Sequence, residues 1–245
     1  MDAETFAVEA GIEQDHWWFR GRRVLFQAEI RRLGLPFDAD ILDVGTSTGT
    51  NLRLLRDMGH TGVRALDSSQ IAIDYVTQKG LGTVARGDIC AMPYADASFD
   101  LVLATDVIEH VEDDMGALRE IHRVLRPGGV VIVTVPAFAS LWGLQDRVAH
   151  HKRRYLMAGL CARIAGAELV VQRRYYFNYL LFPAIWAARR LLGLTKSNIR
   201  SENQINTPWL NAILGALFRF DVATAPLLRP PFGVSALVLA RKGRV

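Results

Sequence analysis

The sequence predicts an α/β domain in which a parallel sheet carries helices on both faces. Between residues 41 and 135, short apolar runs alternate with segments of helical periodicity. Helix-capping residues precede two of these segments, Ser68 and Ser69 in one case and Asp113 and Asp114 in the other. Parallel strands need a crossover connection, which a helix usually supplies. The alternation is therefore typical of a parallel sheet covered on both sides.

The individual elements follow from where the apolar runs begin and end. Strands are predicted over residues 41–44, 63–66, 83–85, 101–104, 130–135, 168–176 and 235–240. Helices are predicted over residues 24–33, 51–58, 71–79, 115–125 and 156–165. Residues 138–155 are expected to form a loop or short helix. The uncharged run 175–188 is shorter than the roughly 20 residues of a membrane span, so it predicts a buried or lid helix, or one lying at a membrane surface.

Composition restricts the class of protein further. The 245 residues are 50% hydrophobic and 22% charged, which indicates a folded domain with a substantial core. Cys90 and Cys161 match no disulfide or zinc spacing, and the first residues lack a secretory layout, so a cytoplasmic location is expected. The net charge of +4 is concentrated in arginine clusters, which suit either an anionic partner or a solvated surface.

A glycine-spaced turn follows the first predicted strand. The apolar run 41–44 leads into Gly45, Thr46, Ser47 and Gly49, and a helical segment begins directly afterwards. A strand, a tight turn and a helix N-terminus together let a nucleotide-like ligand approach bare backbone. A turn of this kind is common, so by itself it is a weak signal.

Polar side chains at the ends of the next strands make the signal specific. Asp67 comes about 20 residues after the turn, where an acid can accept both hydroxyls of a ribose. Asp88 follows the third strand, and Asp106, Glu109 and His110 follow the fourth. Because the carboxyl ends of parallel strands share one edge of the sheet, these groups are predicted to border one crevice.

These motifs resemble those of class I S-adenosylmethionine-dependent methyltransferases of the small-molecule branch. The matching segments are LDVG at 42–45, GD at 87–88, FDLV at 99–102, EHV at 109–111 and LRPGG at 125–129, together with Asp67. A looser similarity, to a subgroup with a Trp-Phe-Arg segment and a His-x-Arg-Arg-Tyr element, covers the flanks. The family usually has a third glycine in the first turn, where this chain has Ser47. An altered cofactor contact is expected there.

The resemblance implies a Rossmann-like, mostly parallel seven-stranded sheet whose last strand runs antiparallel. It implies one methyltransferase domain over 1–245. Its parts are an N-terminal cap (1–38), a cofactor-binding core (39–136), an acceptor-side segment with the sixth strand (137–176), a helical insertion (177–234) and the last strand (235–245). The insertion is expected to cover the acceptor or to contact a membrane or a second subunit.

The resemblance also assigns residues to S-adenosyl-L-methionine. The glycine turn would lie under the methionine portion, Asp67 would hold the ribose, and Asp88 with Ile89 would hold the adenine. The complete set of expected cofactor residues is Arg22, Asp43, Gly45, Thr46, Ser47, Gly49, Asp67, Ser68, Asp88, Ile89 and Asp106. Two alternatives stay open: Asp43 could instead organise the turn, and the segment 17–20 could pack on the outer sheet face rather than fold over the crevice.

His151 is the candidate general base for removing a proton from the acceptor. It follows the fifth strand on the ligand side, and histidine is the commonest general base, although His151 could instead pair structurally with Asp146. The residues expected to contact the acceptor are Trp18, His110, Arg154 and Tyr155. No metal is expected, since no acidic cluster at the strand ends matches a magnesium-dependent catechol-type arrangement and the two histidines lack companion ligands.

The predicted function is methyl transfer to an oxygen or nitrogen of a small-molecule or lipid-linked acceptor. Two alternatives are a catalytically silent cofactor-binding partner protein and a nicotinamide-dependent oxidoreductase. Nucleic acid is not expected as a partner, because residues 105–108 lack the Asn/Asp-Pro-Pro-Tyr segment of enzymes that methylate base amino groups. Peripheral membrane contact and a homodimer are both left open.

Overall fold

A computed structural model describes residues 3–192 and 207–244. Its centre is a seven-stranded sheet in the order β3-β2-β1-β4-β5-β7-β6. The strands are β1 (Ile41–Val44), β2 (Val63–Asp67), β3 (Val84–Arg86), β4 (Phe99–Thr105), β5 (Leu125–Pro136), β6 (Leu169–Phe177) and β7 (Ser235–Lys242). All seven coincide with predicted strands to within a few residues, except that β5 begins directly after a helix at Leu125.

Strand direction places the crevice. The pairs formed among β1 to β5 are parallel, whereas β7 runs antiparallel between β5 and β6. The Rossmann-like, mostly parallel sheet with an antiparallel last strand is therefore confirmed. The chain order reverses between β1 and β4, and this switch point is where open α/β sheets bind their ligands.

Nine helices are present in the described ranges. They are α1 (Ala3–Ile12), α2 (Trp17–Leu33), α3 (Thr50–Asp57), α4 (Gln70–Gln78), α5 (Asp114–Val124), α6 (Leu144–Val148), α7 (Met157–Gly166), α8 (Phe182–Leu192) and α9 (Pro208–Leu228). The sequence did not predict α1, and the predicted start of α2 at residue 24 is seven residues late. The helix begins at Trp17 because the His16 ring nitrogen accepts from Trp18 N at 3.3 Å, and because aromatic packing against α9 stabilises its first turn.

The core lies on the two faces of the sheet. One face packs against α5 and α7, and the other packs against α2, α3 and α9. Gly21 in α2 lets α9 approach closely, since a Cβ atom at this position would lie 2.1 Å from the ring of Phe218. The contact between α2 and α9 attaches the insertion 177–234 to the sheet; residues 193–206 of this predicted helical segment lie outside the described residues.

The stretch tested for a membrane span divides between two elements. Residues 175–177 end β6, and α8 has 11 residues, which is too short to span a bilayer. Among the described residues, one helix is long and apolar enough to cross a membrane, namely α9, with 21 residues and a mean hydropathy of 1.2. Length and composition alone are weak evidence, because core helices of soluble proteins also meet this criterion.

Candidate active site

A cleft of about 730 Å³ follows the carboxyl edge of the sheet. The turns after β1, β2, β3 and β4 form its floor, while α1 and α2 form a roof. At the far end, α8, α9 and residues 137–155 complete the wall. The crevice predicted from the strand ends is therefore present as one continuous space.

The first turn brings bare backbone to the cleft floor. Gly45 and Gly49 adopt positive φ angles of 70° and 86°, which glycine tolerates without strain. A Cβ atom at Gly45 would also lie 2.7 Å from Val107 Cγ2. Thr46 and Ser47 line the cleft, and Ser47 itself has a positive φ of 49°. The serine therefore adopts the left-handed conformation for which glycine is the usual residue.

Two predicted cofactor residues lie beneath this turn and not on the cleft wall. Asp43 is completely buried, and it accepts a hydrogen bond of 2.9 Å from Asn51, which also donates to Thr105 at 3.0 Å. Burial raises the pKa of Asp43 to about 6. Gly49 starts α3, where a Cβ atom would meet Leu81. This geometry matches the alternative in which Asp43 organises the turn.

Asp67 joins two turns at the cleft wall. One carboxylate oxygen accepts from Ser47 N at 3.0 Å, and the other accepts from Ser69 N at 2.9 Å. The next residue, Ser68, also lines the cleft. The carboxylate is thereby held between the first and second turns, at the wall of the cleft.

Asp88 and Ile89 border the same cleft after β3. The Asp88 carboxylate accepts from Cys90 N at 2.9 Å, so it also caps its own turn. Ile89 is 5% exposed and belongs to the core beside Leu66, which gives this end of the cleft an apolar surface. A carboxylate next to an apolar face is suited to an adenine, with its amine and its flat ring.

Arg22 and Asp106 form an ion pair inside the cleft. The Arg22 guanidinium also lies over the rings of Trp18, at 5.6 Å, and Phe26, at 5.0 Å. Asp106 has a positive φ of 53° and accepts from the Thr134 hydroxyl at 3.3 Å. Both predicted cofactor residues therefore line the cleft, but the Arg22 charge is matched by Asp106.

Helix α1 and the turn that follows it contribute two acids that the sequence analysis did not identify, Glu9 and Glu13. Glu9 lines the cleft and accepts from the Ser47 hydroxyl at 3.4 Å, and burial raises its pKa to about 7. Glu13 accepts from Thr48 and from Lys79, the latter at 2.7 Å. Phe6 is the one buried residue of α1 among those described. The sequence therefore has no repeating apolar pattern that would have predicted this helix.

At the end of the cleft where the acceptor is expected, termed the acceptor end, a buried carboxylate holds His151. The His151 Nδ1 atom lies 2.9 Å from Asp146 Oδ1, and Arg154 Nε donates to the same oxygen at 2.8 Å. Burial alone would raise the pKa of Asp146, but these hydrogen bonds lower it below its usual range. The predicted pairing with Asp146 is present, and His151 nevertheless lines the cleft.

Glu109 and His110 lie beside His151. Glu109 is fully buried, and burial together with nearby Asp106 raises the pKa of Glu109 well above its usual value. Burial and His151 lower the pKa of His110 to about 4. The ligand atoms of Glu109, His110 and His151 lie within 4.8 Å of one another. The sequence argument that the histidines lack companion ligands is therefore wrong, because the turn after β4 brings a carboxylate to them.

The remaining predicted acceptor residues divide between the cleft and the core. Trp18 lines the cleft and stacks on Phe218 at 5.1 Å, so it both covers the crevice and packs on the sheet face. Arg154 lines the cleft while donating to the Ala137 carbonyl at 2.9 Å. Tyr155 is buried away from the cleft, and its hydroxyl donates to Asp114 at 2.9 Å. Tyr155 anchors this segment to α5.

The far wall of the cleft is predominantly apolar. The side chains that α8 and its preceding loop and α9 contribute there are Leu181, Ala184, Ile185, Ala188, Arg189, Leu210 and Leu214. The cleft thus has a polar end beneath the sheet edge and an apolar end beneath the helical insertion.

Comparisons with known proteins agree with this geometry. Residues 42–133 match the model of a family described as a methyltransferase domain. The chain is 33% identical over 219 residues to a malonyl-[acyl-carrier protein] O-methyltransferase of Enterobacter lignolyticus. This alignment covers 84% of this chain and 85% of that protein. It is 29% identical over 138 residues to a demethylmenaquinone methyltransferase of Staphylococcus aureus, covering 51% of this chain and 57% of that protein.

Several further matches cover only part of the relative. The chain spans 48%, 52% and 42% of the length of three further curated methyltransferases. Among solved structures, the methyltransferase in a complex with the Trm112 activator of Haloferax volcanii is 20% identical, with a TM-score of 0.63, and covers 98% of this chain and 95% of that one. At this identity the likeness concerns the fold.

The fold and the cleft define a class I Rossmann-like transferase domain. The chain belongs to the S-adenosylmethionine-dependent methyltransferases. Its cofactor is S-adenosyl-L-methionine, as the resemblance implied. This family membership replaces the alternative of a nicotinamide-dependent oxidoreductase.

Proposed function

We propose that this enzyme transfers the methyl group of S-adenosylmethionine to an oxygen or nitrogen of a small-molecule or lipid-linked acceptor. One observation carries the proposal: the cofactor turns, the His151–Asp146 pair and an apolar wall border a single cleft. Adenosine would lie between Asp67 and Asp88. The sulfonium would then point towards the end of the cleft that contains His151.

Methyl transfer needs alignment more than activation, because the sulfonium is already a good leaving group. The acceptor lone pair bonds to the methyl carbon while the carbon–sulfur bond breaks and its electrons stay on sulfur. A neutral hydroxyl acceptor must also lose a proton, and His151 Nε2 is available for it when Asp146 holds Nδ1. The roof of α1 and α2 would keep water away from the sulfonium.

The apolar wall of the cleft favours a hydrophobic acceptor. Leu181, Ile185, Leu210 and Leu214 are suited to an alkyl or isoprenoid chain better than to a sugar or amino acid. Two relatives are named for the methylation of demethylmenaquinone and of a malonyl group on an acyl-carrier protein. These likenesses support the acceptor class without identifying the molecule.

The outer face of α9 supports a peripheral membrane contact. Its exposed side chains include Trp209 at 66%, Phe220 at 60% and Leu227 at 77%, and Arg219 and Arg229 are exposed beside them. An apolar helix face flanked by arginines is typical of helices that lie in the interface of an anionic membrane. The inner face of α9 lines the cleft, so a lipid-linked acceptor would have a short path from the bilayer.

The acceptor class can be tested by incubating the protein with methyl-labelled S-adenosylmethionine and separate lipid and aqueous cell extracts. We expect label in the lipid fraction, and a His151→Ala variant should lower that labelling by about 10²- to 10⁴-fold, the range for loss of a general base. Label confined to the aqueous fraction would contradict a lipid-linked acceptor, and no label in either would contradict the proposal as a whole.

Membrane contact can be tested by sedimentation with vesicles that contain anionic lipid. The double variant Trp209→Ser and Phe220→Ser should sediment less than the wild type, because each substitution removes an apolar side chain from the outer face of α9. Phe37→Ser is the matched control, since Phe37 is 67% exposed but lies in the loop before β1. Equal sedimentation of wild type and double variant would refute the contact.

A further inference from the structure

We propose that Glu109, His110 and His151 form a binding site for a divalent transition-metal ion at the acceptor end of the cleft. They offer one carboxylate oxygen and two imidazole nitrogens, all within 4.8 Å of one another. The inference rests on the proposed methyl transfer but changes the role of His151, since the ion, in place of a free His151 Nε2, would promote loss of the acceptor proton.

Glu109 is the first argument for a ligand. The residue is fully buried, yet neither carboxylate oxygen has a hydrogen-bond partner in the described part of the protein. The nearest nitrogen of His151 is 3.9 Å from Glu109 Oε1, which is beyond hydrogen-bond distance. A buried carboxylate without partners is costly, and a bound cation removes that cost. The unsatisfied oxygens therefore indicate a missing positive partner between the carboxylate and the imidazoles.

The second argument is that both imidazoles are held from their other side. His151 Nδ1 lies 2.9 Å from Asp146 Oδ1, and the His110 ring is hydrogen-bonded to the backbone of Ala149. Histidines that bind metals usually have such a carboxylate or carbonyl partner on the second nitrogen, which fixes the ring and the tautomer. Asp146 is itself fixed by Gly143 N at 2.8 Å. The arrangement leaves His151 Nε2 pointing towards Glu109.

The size and chemistry of the cluster fit a transition metal. Bond lengths of about 2.0–2.2 Å around tetrahedral Zn²⁺ place neighbouring ligand atoms about 3.4 Å apart, so the present separations of up to 4.8 Å would close by at most about 1.4 Å. Two imidazoles with one carboxylate favour Zn²⁺, Fe²⁺ or Co²⁺, whereas Mg²⁺ prefers oxygen ligands throughout. Three protein ligands leave one position open for another molecule.

The open position would face the cleft, because His110 and His151 both line it. An acceptor hydroxyl bound to the ion would lose its proton to water more readily, and its oxygen would then attack the methyl carbon. In this arrangement His151 holds the ion and does not itself accept the proton. Activation of the acceptor would thus depend on the cluster as a unit.

The proposal is tested by calorimetric titration of Zn²⁺ into full-length protein that has first been treated with a chelator. The wild type should bind one ion per chain, and Glu109→Gln, His110→Ala and His151→Ala should each weaken binding by at least about tenfold. Asp146→Asn should weaken it by about 10- to 100-fold, the usual effect of removing an outer-shell partner. His122→Ala is the matched control, as it removes an imidazole on α5 outside the cluster, and should bind as the wild type does.

Titration of each variant with S-adenosylmethionine separates misfolding from ligand loss. A variant that keeps its cofactor affinity is folded, so its Zn²⁺ result can be interpreted directly; if the alanine variants do not fold, His110→Gln and His151→Gln replace them. Absence of one-to-one Zn²⁺ binding in the wild type, or binding by folded cluster variants that equals the wild type, would overturn the inference and leave the proposed function intact. Zn²⁺ binding without any methyl transfer would overturn the proposed function instead.

Discussion

The two ends of the cleft are built in different ways. The cofactor end consists of turns that directly follow neighbouring parallel strands, and Asp67 and Asp88 each lie within a few residues of a strand end. The acceptor end is assembled from the turn after β4, the segment 137–155, α8 and α9, which are far apart in the chain. The first arrangement follows from sheet geometry, whereas the second requires several long-range contacts to form together.

This difference teaches which features a sequence motif can locate. At the cofactor end, one strand and one turn place each functional group, so spacing along the chain predicts proximity. At the acceptor end, His151 meets Glu109 across 42 positions of sequence, and no spacing rule connects them. Mutations at the two ends should therefore affect separate properties of the enzyme.

The largest expected effect is on the packing that supports the acceptor end. Phe218 in α9 is fully buried against Trp17 and Trp18, so Phe218→Ala should lower the free energy of unfolding by about 3–5 kcal/mol. Phe220→Ala, on the exposed face of the same helix, should change it by less than about 0.5 kcal/mol. Urea denaturation of both variants measures the contrast, and equal losses would show that α9 is not packed as described.

The next largest effect is on cofactor affinity and concerns the cofactor end alone. Asp67→Asn removes the charge expected to accept both ribose hydroxyls, and two charge-assisted hydrogen bonds are together worth about 3 kcal/mol or more. We therefore expect the Kd for S-adenosylmethionine to rise by at least about 100-fold in calorimetry. Asp74→Asn on the exposed side of α4 is the control. A change below about fivefold would mean that Asp67 only organises the turns.

A smaller effect concerns the roof over the cofactor end. The pKa of Glu9 is raised from 4.5 to about 7, so the docked α1 binds a proton that the undocked helix releases. Docking is then fully stabilised below pH 4.5 and weakens as the pH rises through about 7, by up to about tenfold per pH unit within that window.

Hydrogen exchange of the α1 amides measures this dependence. Glu9→Gln should flatten the profile, because the amide does not titrate. Asp43 has the same sign of shift but lies beneath the turn, so its titration should appear in global unfolding and not in α1 alone. A profile of α1 that is unchanged by Glu9→Gln would show that this carboxyl does not control docking.

The smallest expected effect is on stability and concerns Ser47, which lies where the family usually has glycine. Ser47 has a φ of 49°, a conformation that costs a non-glycine residue about 1–2 kcal/mol. Ser47→Gly should relieve part of that cost, offset by the greater entropy of the unfolded chain, and raise the stability by about 1 kcal/mol or less. Thermal unfolding checks this, and a lower Tm would indicate that the hydroxyl contact with Glu9 outweighs the backbone strain.

Prediction from sequence succeeded where local pattern and sheet geometry coincide. The range predicted for β1 is identical to the strand observed, and Asp67, Asp88 and Asp106 all border the cleft. The prediction of site residues was less accurate for residues that stabilise the turn from inside. Asp43 and Gly49 were expected to contact the cofactor, but they lie beneath the cleft floor. The motif alone does not show whether its glycine or acid faces the cleft or packs beneath the turn.

Helix α1 and the cluster around His151 were beyond the reach of pattern analysis. Only Phe6 of α1 is buried among its described residues, so the helix has too little apolar periodicity to be predicted. Glu109 was identified only as a polar group after β4, yet it is fully buried, and its backbone carbonyl accepts from Lys152 N at 2.8 Å, a residue distant in sequence. Such burial depends on the final arrangement of elements, which a single sequence does not specify directly.

The amino-acid sequence by itself determined the parallel sheet, its glycine turn and the acids at the strand ends, because each depends on the periodicity and spacing of neighbouring residues. The tertiary structure alone decided that α1 covers the cleft, that α9 leaves an apolar face exposed, and that Glu109 meets two histidines. These outcomes depend on burial and on contacts between distant segments, and both arise only when the helices pack on the sheet.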